Sequence, residues 1–188
     1  MDLPVTFKMQ LDERKNTTQF TNTAGASFLQ GKFIDSGQFA VYHDPELTKP
    51  CFTTKGVEKS GAKVAVGVYD GADGSLLGSV KLMGRSWRLA STWKLFDANN
   101  REALTIQQDV GFIEFWIRFV FTTMTRNYRV LNTAGQQMGQ VQQMWVRSHV
   151  PGLQFNCPES VRSAGELRLL YAAALLIARY DVETMTFF

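Results

Sequence analysis

Ten consecutive apolar residues, Leu169 to Ala178, decide most of what this chain can become. They are dense in Leu and Ala, which favour helix strongly. Ser163 followed three residues later by Glu166 has the form of a capping box, so a helix is expected over about 164–180. Apolar side chains then cover every side of that helix and leave no polar stripe for solvent, so it has to be surrounded. A membrane span takes about 20 apolar residues, and this run is bounded by Arg168 and Arg179. The surroundings expected are therefore protein.

The rest of the chain reads as strands. Near the N-terminus Val5, Phe7, Met9 and Leu11 alternate with Thr6, Lys8 and Gln10, the period of a half-buried strand. Residues 12–27, rich in Thr and Asn, read as a loop. Trp87, Leu89, Ser91, Trp93 and Leu95 alternate with Arg88, Ala90, Thr92 and Lys94, and a further strand is expected over 112–121, where Ile113, Phe115, Ile117, Phe119 and Phe121 share one face and Glu114 and Arg118 the other. Three stretches align on a polar residue behind two apolar ones, Val68-Tyr69-Asp70, Leu95-Phe96-Asp97 and Val130-Leu131-Asn132. Each reads as strand, turn, strand: the Asp or Asn side chain accepts hydrogen bonds from the backbone ahead of it, and Gly74, Gly135 and either Asn100 or Arg101 supply positive φ. The spacings of 27 and 35 residues are too irregular for a solenoid and suit a meander of hairpins.

A chain of 188 residues, 45% hydrophobic and 20% charged, is long enough to bury roughly 70% of its unfolded surface without a metal or a disulfide. Cys51 and Cys157 form no Cys-x-x-Cys pair, so no disulfide framework or zinc ribbon is indicated. The first residues, Met1-Asp2-Leu3-Pro4-Val5, do not read as a secretory signal, and a cytoplasmic location is expected.

Many antiparallel strands with one all-apolar helix point to a closed barrel threaded by that helix, an arrangement that removes sheet edges and covers the helix together. The serial hairpins, the third running Arg129-Val130-Leu131-Asn132-Thr133-Ala134-Gly135-Gln136-Gln137-Met138-Gly139-Gln140-Val141, and the terminal Leu169 to Asp181 resemble the tubby C-terminal-like superfamily, which includes phospholipid scramblases and plant LURP-one-related proteins. The resemblance covers about residues 28–188, with 1–27 as an N-terminal strand and polar loop of the same domain. It implies a mainly β, closed antiparallel barrel of about 12 strands around a central buried C-terminal helix. It also implies recognition of lipid phosphate. Scramblase-like proteins carry a proline-rich region, a cysteine cluster and an acidic calcium segment, whereas this chain has five scattered prolines and two distant cysteines. Calcium-driven scrambling is not expected of it.

The candidate sites follow from charge. Formal net charge is +3 and unevenly spread: between Gly74 and Asp97 the cations Lys81, Arg85, Arg88 and Lys94 meet only one acid, and between Phe115 and Pro158 there are Arg118, Arg126, Arg129 and Arg147 and no acid. Lys81, Arg85, Arg88 and Lys94 are the candidate binding residues for an anionic phospholipid or phosphoinositide headgroup, held by charge-assisted hydrogen bonds at a membrane surface. A solvated β surface is the competing reading, and a protein-interaction scaffold is the alternative function. Trp116 and Trp145 beside Arg118 and Arg147 have the composition of a base-stacking surface, but the small net charge disfavours nucleic acid. His43 and His149 lie in no His-Glu-x-x-His pattern, and no nucleophile elbow or phosphate-binding glycine loop is present. Cys51 with His43, or Cys157 with His149, would need spatial contact to form an activated pair and read as structural residues. Asp70-Gly71-Ala72-Asp73-Gly74 lacks the ligand series of a calcium loop and reads as a turn. The expectation is a monomeric binding protein with no catalytic residue, cofactor or metal.

Overall fold

Period-two alternation assigns each strand an inward and an outward face, and a sheet whose strands are all apolar on one side can bury that side by closing on itself. The computed structural model describes residues 3–12, 15–35, 38–43, 46–56, 64–84, 91–109, 126–146, 150–164 and 166–185. Among them are twelve strands: β1 Phe7–Asp12, β2 Thr17–Thr21, β3 Ser27–Asp35, β4 Gln38–Tyr42, β5 Pro50–Gly56, β6 Val64–Asp70, β7 Leu76–Gly84, β8 Thr92–Asp97, β9 Glu102–Asp109, β10 Asn127–Leu131, β11 Gln137–Val146 and β12 Val150–Asn156. Each pairs antiparallel with its neighbour in the chain, and β1 pairs with β12 through Phe7 opposite Phe155 and Met9 opposite Leu153, closing the barrel.

The N-terminal strand begins where the alternation places it, with Phe7, Met9 and Leu11 buried. The stretch 12–27, read as a loop, instead contains β2. Its inward positions are Thr18 and Phe20, and β-branched threonines suit a strand as well as valine does. The 112–121 strand and the Trp87–Ala90 part of the next expected strand lie outside the described residues. From Thr92 onward that strand is β8, with Trp93 and Leu95 inward.

Two helices follow β12: α1 Ser160–Ala164 and α2 Leu167–Met185. Ser163 lies inside α1, four residues before α2 begins, so the N-cap position of α2 falls to Glu166. Glu166 itself stands at the N-terminus of α2, where its Oε1 accepts from the Arg168 backbone N–H at 3.2 Å and its carbonyl from that of Leu169. The capping box is therefore not formed, and the helix starts three residues later than expected. All ten residues from Leu169 to Ala178 are at most 6% exposed. A helix covered on every side in this way is threaded through the barrel. Tyr171 touches Phe7 of β1, Phe20 of β2 and Phe28 of β3, with the Phe7 ring stacked at 4.1 Å, while Tyr180 meets Trp93 of β8 edge-on. At roughly 1.5–3 kcal/mol for each large aliphatic side chain taken from water, Leu169, Leu170, Leu175, Leu176 and Ile177 add to the interior that the inward faces of the strands supply. No helix of the described residues is long and apolar enough to cross a membrane.

Strand direction gives the barrel two distinct ends. The β2–β3, β6–β7, β8–β9 and β10–β11 turns and the N-terminus of α2 lie at one end, here the mouth; α2 runs from there toward the opposite, far end. The three expected turns are present. Asp70 Oδ1 accepts from the Ala72 N–H, Asp97 Oδ1 from those of Asn99 and Arg101, and Asn132 Oδ1 from those of Ala134 and Gln136. Gly74, Asn100 and Gly135 take positive φ. A fourth copy at Asn22 was missed: its Oδ1 accepts from the Ala26 N–H, and Gly25 has a φ of 84°.

Candidate functional site

On the outer wall Lys81 of β7 stands directly opposite Lys94 of β8. Both alternate with buried residues, Val80 and Leu82 on β7 and Trp93 and Leu95 on β8, so the same periodicity that fills the core sets the two ammonium groups outside. Each is held in place. Lys81 Nζ donates to Asn100 Oδ1 at 3.2 Å and lies over the Phe96 ring, 4.5 Å from its centroid. Lys94 Nζ lies 2.6 Å from Glu102 Oε2. Burial pushes the Glu102 carboxyl up, but hydrogen bonds from Lys94 and Thr105 outweigh it and leave its pKa lowered. Arg85 and Arg88 fall between β7 and β8 and lie outside the described residues, so the structure brings together two of the four candidate cations. Trp116 also lies outside them.

The Asp70–Gly74 loop is a hydrogen-bonded turn. Besides Asp70, Asp73 Oδ1 accepts from the Ser75 N–H at 2.8 Å, and among the described residues no group of three metal-ligating side chains converges. Gly71 is required here: a Cβ would meet the Pro50 carbonyl oxygen at 1.9 Å, because this loop lies against the start of β5.

The sequence reading missed the cleft at the mouth. A pocket of about 530 Å³ is lined by residues far apart in sequence, among them His43, Cys51, Asp70, Arg162, Glu166 and Arg168. Arg168 is its organising group. Its Nε and one terminal nitrogen bond both oxygens of Glu166 at 3.0 and 3.1 Å, while its other terminal nitrogen pairs with Asp70 across the mouth. Burial alone would lower the Arg168 pKa, but the two carboxylates raise it, and it stays fully charged. The Ala72 N–H and then Arg168 hold Asp70 below its usual carboxylate range. Glu166 is pushed up by burial but lowered on balance by Arg168. Arg162 ties α1 to the N-terminal segment by donating to the Leu3 carbonyl at 2.9 Å, and Tyr171 Oη donates to that of Pro4. One signal was available in the sequence: Arg168 stands at the head of an otherwise apolar helix.

The thiols are poorly suited to nucleophilic work. Burial raises Cys51 to about 11 and Cys157 to about 12, whereas an activated thiol needs a lowered pKa. Cys51 and His43 line the same cleft, and His149 lies outside the described residues.

No protein-family model matches the chain, and no curated protein matches it. Among solved structures, an X-ray structure of a protein from Arabidopsis thaliana is similar at 13% sequence identity and a TM-score of 0.49, covering 89% of this chain and 90% of that one.

Proposed function

We propose that this protein is a non-enzymatic lipid-binding module that recognises anionic phospholipid or phosphoinositide headgroups at a membrane surface. The observation that carries the reading is the placement of Lys81 directly opposite Lys94 on the outer wall. Glu102 balances the Lys94 charge and leaves Lys81 with the neutral Asn100, and a phosphate bridging the two ammonium groups adds charge-assisted hydrogen bonds to both. Asn100, Phe96 and Glu102 hold both stems in place before a ligand arrives, which lowers the ordering entropy that binding would otherwise incur. Arg85 and Arg88 follow β7 closely in sequence and add charge of the same sign. The tubby-like resemblance in the sequence supports the same ligand class. On this reading the protein is a cytoplasmic monomer, peripheral at the membrane, with no cofactor.

The test is co-sedimentation with neutral phosphatidylcholine vesicles and with vesicles containing phosphatidylserine or phosphoinositide, at low and high salt. Selective, salt-sensitive binding to the anionic vesicles is expected, and it should be lost in the Lys81→Gln, Lys94→Gln double variant, which removes both charges without setting new acids beside Glu102 and keeps a cooperative thermal unfolding. Arg85→Glu with Arg88→Glu should weaken binding in the same way. Failure to sediment with any vesicle overturns the reading in favour of a protein-interaction scaffold.

A further inference from the structure

The two wall lysines do not stand alone: with Phe96 and Glu102 they form one cluster that carries both signs of charge. Phe96 is its centre, opposite Ser79 of β7 on one side and Glu102 of β9 on the other. The Lys81 ammonium lies over the Phe96 ring and donates to Asn100 in the β8–β9 turn. Lys94 precedes Phe96 by two residues on the same face of β8, and its ammonium reaches Glu102 at 2.6 Å. Both cations are thereby drawn to the mouth-side half of β8, where the acid is. Every one of these residues belongs to β7, β8, β9 or the turn between the last two.

Glu102 is only partly used. Its Oε2 accepts from Lys94 and its Oε1 from the Thr105 hydroxyl at 2.8 Å, two of about four lone-pair positions that a carboxylate offers. Its side chain is 32% exposed, so the remaining positions can be reached from solvent. Asn100 takes the Lys81 ammonium on its oxygen and keeps its amide N–H groups as donors. Two ammonium groups against one carboxylate leave one positive charge in excess. A headgroup with several phosphates suits such a cluster poorly, because once one phosphate bridges the lysines a second one meets Glu102 at close range and is repelled.

Resting on the lipid reading above, we infer that the cluster selects the phosphoserine headgroup of phosphatidylserine, with the phosphate bridging Lys81 and Lys94, the ammonium on Glu102 and the carboxylate on the Asn100 amide side. The headgroup is the charge mirror of the cluster: its phosphate and carboxylate against one ammonium leave one negative charge in excess. Glu102 is then the specificity residue, since it rewards a ligand ammonium and penalises a second phosphate.

The test is co-sedimentation with phosphatidylcholine vesicles containing phosphatidylserine, phosphatidylglycerol or phosphatidylinositol bisphosphate at matched surface charge, and with phosphatidylethanolamine at the phosphatidylserine mole fraction. Binding to phosphatidylserine should be about fivefold tighter than to phosphatidylglycerol, which has the phosphate but no ammonium, and should exceed that to the other two. Glu102→Gln keeps an oxygen for Lys94 or Thr105; it should bring the ratio of phosphatidylserine to phosphatidylglycerol binding to about one by strengthening the latter. Equal binding of the parent to these two lipids, a ratio unchanged in Glu102→Gln, or tighter binding to the bisphosphate or to phosphatidylethanolamine overturns the headgroup selection and leaves the lipid reading standing. Absence of sedimentation with every vesicle overturns both.

Discussion

Arg168, at the start of α2, reaches across the mouth of the barrel to Asp70, a residue 98 positions earlier at the end of β6. The side chains of both are about one-fifth exposed, so the pair is screened less than a surface ion pair and has Glu166 as a third member. Removing one partner leaves the other charges half-buried and uncompensated. Arg168→Met is therefore expected to cost about 1–3 kcal/mol of unfolding free energy. Asp70→Asn should cost less, because the amide retains an acceptor for the Ala72 N–H. Urea unfolding of the two variants against the parent checks both the loss and its order.

The same network sets a pH dependence. Asp70 and Glu166 both have carboxyl pKa values lowered in the folded protein. Their contribution is fully present above the ordinary carboxylate pKa, roughly 4, and is lost as pH falls through the lowered folded values. The melting temperature should be flat from neutral pH down to about 5 and then fall. In Arg168→Met the acid limb of that curve should be shallower, since the arginine that depresses both groups is gone.

Ala173 lies in the middle of the enclosed helix and is 0% exposed. Ala173→Asp places a carboxylate among apolar neighbours with no cation beside it on the helix, at a cost of several kcal/mol. Insoluble protein is expected on expression. Soluble protein with an unchanged melting temperature would mean that the helix is not enclosed.

Cys51 and Cys157 are both buried thiols with raised pKa values, about 11 and about 12. At pH 8 the native protein should react with a chromogenic disulfide reagent orders of magnitude more slowly than free cysteine, and both thiols should titrate promptly in denaturant. Fast native-state labelling of Cys51 would show that the mouth opens readily.

The parts of the fold that were readable are those encoded locally. Leu169 to Ala178 announces an enclosed helix because no surface arrangement tolerates apolar side chains on all sides. Asp70, Asp97 and Asn132 announce turns because the bonds that define them close within four residues. The Asn22 turn was equally readable, since Asn22-Thr23-Ala24-Gly25 repeats Asn132-Thr133-Ala134-Gly135 letter for letter. It was obscured by β2, whose only large apolar residue is Phe20. Ser163 and Glu166 misled because Ser163 falls inside α1 while Glu166 stands at the head of α2, so the two belong to different helices. The Arg168–Asp70 pair and the mouth cleft depend on contacts between distant elements and on register. Neither is written in any local window.

Closing the barrel requires β1 to find β12, and filling it requires α2, which comes later still. A chain leaving the ribosome N-terminus first thus displays the inward faces of its early strands, Phe7, Phe20, Phe39 and Phe52 among them, with nothing yet made that can cover them. Those contacts are of the long-range kind that fold slowly. The nascent chain therefore keeps that apolar surface open until α2 is synthesised, and a premature stop upstream of Leu167 should yield an aggregation-prone sheet in place of a smaller barrel.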